Sequence, residues 1–202
     1  MTGESRTDGD PPPGHLRVTM TSLEMHACPD TARQNPAWPA GARVERAIGP
    51  GLKFYRFLYE AVGEPWLWSE RLRWSDAALA AHIEDPGIEI WVLTAEGQPA
   101  GYAEIDRRDP GNVELSYFGL LPAFIGRGLG GTLLRFAVRE AWKPATRRFW
   151  VHTCDLDHPA ALTVYRRAGF IPFRIDVTDG PDLRLSGVFP ATAAPHRPLA
   201  RV

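Results

Sequence analysis

Ile125-Gly126-Arg127-Gly128-Leu129-Gly130-Gly131-Thr132 is the run with the clearest chemical meaning. Four glycines in six positions stand between a strand-like segment, 113–121, and a leucine-rich helical segment, 133–142. Consecutive backbone N–H groups can converge on one ligand only where side chains are absent, and the positive end of the following helix adds its field to theirs. A phosphate is the expected guest. A Walker loop would need Lys and Ser/Thr after its last glycine, and Gly131 is followed by Thr132 and Leu133. Gly126, Gly128 and Gly131 satisfy the dinucleotide pattern literally, with Asp155 as a ribose-binding acid. In that fold, however, the first strand runs directly into its glycines, whereas 122–125 intervene here, and too little chain follows Asp155 for further βαβ units. Other groups able to titrate in useful ranges are Glu104 and Glu114 within strand-like runs, His152 and His158 in the run VHTCDLDHP, and Tyr165 on a short helical run. Cys154, Asp155, Asp157, His152 and His158 lie close in sequence, but without a second ligand cluster elsewhere they predict no metal site.

The elements that must hold these groups alternate as in an α/β domain. Residues 15–25 and 42–47 read as early strands, with a proline-rich loop at 29–39 between them. Phe54, Phe57, Leu58 and Ala61 recur at helical spacing, and Ser75 or Asp76 caps a second helix through Ile83. Strands at 89–94, 101–106 and 113–120 are separated by turn residues and form an antiparallel meander. Strict alternation places Glu114, Ser116 and Phe118 on one face, an order that a bulge would exchange. After the helix at 133–142 come a strand at 148–154, a helix capped by Asp157 and stopped by Gly169, and a strand at 171–177. Residues 1–14 and 190–202, rich in Gly, Pro, Ser, Asp or Ala, read as disordered tails around a single domain at 15–189.

Composition narrows the classes of partner. The 202 residues are 44% hydrophobic, enough for a substantial core, and a net charge of −1 gives no basic field for nucleic acid. A phosphate-bearing ligand must therefore be held locally. With two cysteines, Cys28 and Cys154, and neither a signal-like start nor an apolar run of spanning length, the expectation is a cytoplasmic protein with free thiols and no membrane partner.

Residues 122–130, with Pro122 and Phe124 just before the glycines, resemble the pyrophosphate loop of the GNAT superfamily of N-acetyltransferases. Ile125 departs from that loop's Gln/Arg. The segment 151–170, VHTCDLDHPAALTVYRRAGF, resembles the second signature of the superfamily: Ala161, Tyr165, Gly169 and Phe170 match, and His158 replaces the usual Asn. The wider pattern is similar to a bacterial subgroup of unassigned acceptor. The resemblance implies a GNAT-like mixed, mostly antiparallel sheet flanked by helices, and transfer of an acetyl group from acetyl-CoA to the primary amine of a small molecule or peptide. It also implies cofactor contacts from Leu120, Leu121, Gly126, Arg127, Gly128, Leu129, Gly130, Gly131, Thr132, His158, Ala161 and Tyr165. Tyr165 would serve the departing thiolate, and Glu114 or Glu104 would take the amine proton. His152 and His158 are read as structural. Trp68, Arg71 and Arg73, in a segment that borders the amine site in the family, would bind an acceptor bearing an apolar body or a carboxylate. The expected assembly is a monomer or homodimer. The competing classes are a non-catalytic acyl-CoA-binding module and, more remotely, a dinucleotide-dependent oxidoreductase.

Overall fold

The computed structural model describes residues 9–202. Its strands are β1 (His15–Met25), β2 (Arg43–Arg46), β3 (Ile88–Ala95), β4 (Gln98–Asp106), β5 (Asn112–Leu120), β6 (Arg148–Cys154) and β7 (Ile171–Pro181). Its helices are α1 (Leu52–Gly63), α2 (Asp76–Ile83), α3 (Leu129–Ala141) and α4 (Ala161–Arg167). The strands make one sheet in the order β2-β3-β4-β5-β6-β1-β7. Every neighbouring pair is antiparallel except β5 and β6, which run parallel. This is the mixed, mostly antiparallel sheet expected, with the 88–120 meander in its middle.

Alternation along the central strands separates two cores. Ile88, Ile90 and Val92 of β3 and Tyr102 of β4 pack under α1 and α2 with Leu58, Val62 and Leu79. Leu93, Ala103, Ile105, Val113 and Leu115 point to the other face, where α3 buries Leu133, Leu134, Ala137 and Val138. The apolar stripe of α1 is one step out of phase with the sequence expectation. Tyr55, Leu58, Tyr59 and Val62 are buried, while Phe54 and Phe57 are exposed. Two tyrosines go inside because each hydroxyl has a buried partner: Tyr55 donates to Glu104 Oε2 (2.5 Å), and Tyr59 accepts from the Arg71 N–H (3.3 Å).

Two further elements differ from expectation. The helix after β6 begins at Ala161, not at a cap on Asp157, and the Asp157 carboxylate is spent on partners described below. Gly169, at φ 103°, supplies the left-handed stop foreseen. The segment 190–202, expected to be disordered, folds back on the end of β7. Arg184, almost wholly buried and paired with Asp182 (2.8 Å), donates to the carbonyls of Ala193 (3.1 Å), Arg197 (2.8 Å) and Pro198 (3.0 Å). Composition predicts disorder from a lack of apolar surface to bury, but here one buried guanidinium satisfies carbonyls that water would otherwise have to solvate. At the other end, Gly14 N–H donates to Arg201 O (2.6 Å), and the rest of the expected N-terminal tail, 1–8, lies outside the described residues.

Candidate active site

The parallel pair makes the site. β5 and β6 stay in register from Asn112↔Arg148 to Leu115↔Val151 and there their pairing ends, although both strands continue. Beyond that point residues 116–120, together with His152 and Cys154, line a cavity of about 530 Å³. Ser116 has no partner on β4, since Glu104 pairs with Tyr117 and Ile105 with Leu115. That bulge exchanges the faces beyond it. Tyr117 therefore joins Glu114 on the α1 side, and Phe118 turns to the α3 side against Tyr165 (6.0 Å between ring centroids). The unbulged alternation that grouped Glu114 with Phe118 is thereby corrected.

One end of the cavity is walled by Ile125, Gly126, Gly128, Gly130 and Gly131. Gly126 and Gly128 hold φ of 82° and 75°, a conformation glycine adopts without steric cost, and Gly128 caps α3. A Cβ built at Gly126, Gly128 or Gly131 would meet no atom within 4 Å, so the turn faces open space at the positive end of α3. The residues present fit an anionic group. Leu120, His158, Ala161 and Tyr165 also line the cavity, as expected. Leu129 and Thr132 do not: Leu129 is core, and the Thr132 hydroxyl donates to Gly128 O (3.2 Å), bracing the turn from behind. Arg127 points away to Glu96 (2.9 Å), and Leu121 packs between the two cores.

The other end is aromatic: Tyr59, Trp66, Trp68 and Tyr117, with Glu70 among them. Trp68 is packed so tightly on α1 that a Cβ at Gly63 would lie 2.6 Å from it. Its Nε1–H donates to Asp157 Oδ1 (3.0 Å), while Asp157 Oδ2 accepts from the Thr153 hydroxyl (2.7 Å) and Cys154 N–H (2.9 Å). Trp66 is flanked by His158 (5.4 Å) and by His196 of the folded-back segment (5.5 Å). Glu70 accepts from the Tyr117 hydroxyl (2.9 Å) and from Arg71 (2.7 Å).

Several expected site residues are placed elsewhere. Glu104 is fully buried, held by Tyr55, by His82 Nε2 (2.9 Å) and by Arg71 (3.4 Å). Arg71 is itself buried, with its guanidinium 3.9 Å above the Trp74 ring. Arg73 is exposed and reaches Ser69 (3.4 Å). None of the three lines the cavity. Glu104→Gln should therefore act on stability, by about 1–3 kcal/mol, because buried Arg71 loses one of its two carboxylate partners and keeps Glu70. A lower melting temperature with an unchanged pH profile of activity is the expected pair of results.

Glu114 also lies outside the cavity, but it touches a residue that lines it. Its Oε1 is 3.4 Å from His152 Nδ1. This hydrogen bond, with Asp157 and Glu70 adding to it, raises the His152 pKa above its ordinary 6.5 against the opposing effect of burial. Burial, with the Asp157 charge second, pushes the Cys154 thiol up to about 12, so it stays protonated at neutral pH. The same two causes hold Tyr165 as a neutral phenol well above the usual tyrosine range. Sequence reasoning missed Glu70 altogether and read His152 as structural. The partners that give them meaning, Tyr117 and Glu114, lie 47 and 38 residues away along the chain.

A single mixed sheet whose one parallel pair opens into a cleft, with a glycine turn and helix start at its mouth, defines an N-acetyltransferase fold. The Acetyltransferase (GNAT) family model matches residues 54–170, and the chain belongs to that family. It is 30% identical over 96 residues to a Mycobacterium bovis N-acetyltransferase described as uncharacterized, a match covering 48% of this chain and 61% of the relative. It is also 35% identical over 86 residues to a mycothiol acetyltransferase of Acidothermus cellulolyticus, covering 43% of this chain and 25% of that protein. The chain thus spans about three fifths or less of the length of these relatives. Among solved structures, the GCN5-related N-acetyltransferase from Sphaerobacter thermophilus aligns with a TM-score of 0.58 at 19% identity, over 84% of this chain and 52% of the other. Among the described residues no helix is long and apolar enough to cross a membrane.

Proposed function

We propose that the protein transfers an acetyl group from acetyl-CoA directly to a primary amine. The observation carrying this reading is that one cavity joins the glycine turn, Tyr165 and His152, whose imidazole Glu114 meets from outside the lining. Gly126 to Gly130 would hold the pyrophosphate on backbone N–H groups. Acetyl-CoA supplies the thioester carbonyl that the amine attacks. His152 takes the ammonium proton, so that nitrogen presents a lone pair, and Glu114 orients the imidazole and stabilises its protonated form. Glu114, first expected to be the base itself, becomes the positioning residue. Tyr165 donates a hydrogen bond to the departing sulfur, which then takes the second proton shed by the acylated nitrogen and leaves as the CoA thiol. Because its pKa is raised, the phenol stays a donor and does not release its proton to a thiolate whose conjugate acid is near 8.5. Cys154, protonated throughout the neutral range, offers no thiolate for a covalent acyl-enzyme, which favours direct transfer.

The test is release of CoA thiol from acetyl-CoA in the presence of amine panels. CoA binding without thiol release would support the acyl-CoA-binding module instead. The pH dependence follows from the shift at His152. A base must be neutral, so activity falls as pH drops through its pKa, and the acidic limb of kcat/KM should lie above 6.5. Glu114→Gln removes the main cause of the raised pKa, so the limb should move to lower pH while the maximal rate falls. His152→Gln should remove the limb. A limb that stays in place in both variants would return the proton to water.

A further inference from the structure

Resting on the acetyltransferase reading, we infer that the acceptor is a primary amine on an apolar body with no carboxylate beside the amine. Among the described residues the cavity is lined by two carboxylates, Glu70 and Asp157, and by no lysine or arginine. Of the two guanidiniums that sequence alone offered to a substrate carboxylate, Arg71 binds Glu70 and Glu104 and lies over Trp74 and Tyr117, and Arg73 is exposed outside the cavity lining. Two histidines line the cavity: His152 already faces Glu114, and His158 stands against the Trp66 ring with its Nδ1 accepting from the Ala160 N–H (3.1 Å). An entering carboxylate would lose water without gaining a guanidinium or ammonium partner and would meet the field of Glu70 and Asp157. An ammonium meets the opposite conditions. The same field attracts it, and the faces of Trp66, Trp68 and Tyr117 suit both a cation and the flat or chain-like body behind it. Asp157 is held by three donors, so its charge is fixed in place without claiming the substrate for its own satisfaction.

The experiment compares decarboxylated amines with their parent amino acids, tyramine with tyrosine and tryptamine with tryptophan, by thiol release. The amine of each pair should show kcat/KM at least about tenfold higher, equivalent to about 1.4 kcal/mol. Glu70→Gln should raise KM for tyramine, leave KM for acetyl-CoA as it was, and narrow the ratio within each pair. Amino acids that match or exceed their amines would overturn the inference while leaving acetyl transfer standing. Should no compound release thiol although CoA binds, acetyl transfer to amines fails. Calorimetry of tyramine against tyrosine on the CoA-saturated protein then decides the class of ligand: preference for tyramine supports it, and equal or reversed affinity overturns it.

Discussion

Tyr165→Phe is expected to lower kcat by about ten- to a thousand-fold, equivalent to about 1.4–4 kcal/mol of transition-state stabilisation, with acetyl-CoA affinity nearly intact. The ring is buried between Phe118 (6.0 Å) and Phe170 (5.9 Å), contacts that phenylalanine keeps, so the variant removes one hydroxyl and little packing. The loss should fall on kcat because a thioester sulfur accepts a hydrogen bond poorly in the ground state and strongly as it becomes a thiolate. Measured with a preferred amine, the ratio of kcat between the two proteins reads that differential directly. Equal turnover would make Tyr165 a core residue that merely borders the cavity. A similar fall in both kcat and CoA affinity would point to a displaced α4.

Gly128→Asp should reduce CoA affinity by about a hundredfold or more, and the companion Gly128→Asn by about tenfold. At φ 75° both side chains are strained to a comparable degree, Asn and Asp being the residues that tolerate this region best. Neither collides with protein, since the direction of the Cβ is open. Bulk and backbone cost are thus shared, and the difference between the two variants isolates a negative charge placed at the start of α3, where the proposed pyrophosphate would lie. Calorimetry with CoA, after thermal melts have shown both variants folded, provides the comparison. Equal affinities in the Asp and Asn proteins would mean that no phosphate lies on this turn.

What could be read from the sequence was local. The glycine turn and the Gly169 stop each lie within a few residues of chain and the meander joins successive strands through short turns, so their physics is that of backbone sterics and short-range pairing. The phase of α1 was not legible, because choosing Tyr55 and Tyr59 over Phe54 and Phe57 depends on partners at Glu104 and Arg71. Asp157 looked like a helix cap, the ordinary use of an aspartate two residues before a proline. Its carboxylate goes instead to Thr153, Cys154 and, 89 residues away, Trp68. Arg71 and Glu104 were candidates for chemistry on residue type alone, and only their burial beside one another shows that they hold the sheet to α1 and α2. The C-terminal segment was misjudged for the converse reason: its stabilising donor, Arg184, lies outside it.

The extra residue at Ser116 has a consequence for how such a site can diversify. Beyond the bulge, where β5 leaves β6, the next two side chains serve different clients: Tyr117 faces the aromatic, acidic end and Phe118 faces Tyr165. Point substitutions at 117 can retune what enters as acceptor without touching the donor half, and those at 118 the reverse. Deletion of Ser116 itself would restore strict alternation and leave Tyr117 and Phe118 on the faces they hold, because Leu115 and Tyr117 already pair with consecutive residues of β4. The stretch is therefore open to drift in letters, and its one extra residue can be lost without exchanging the two walls.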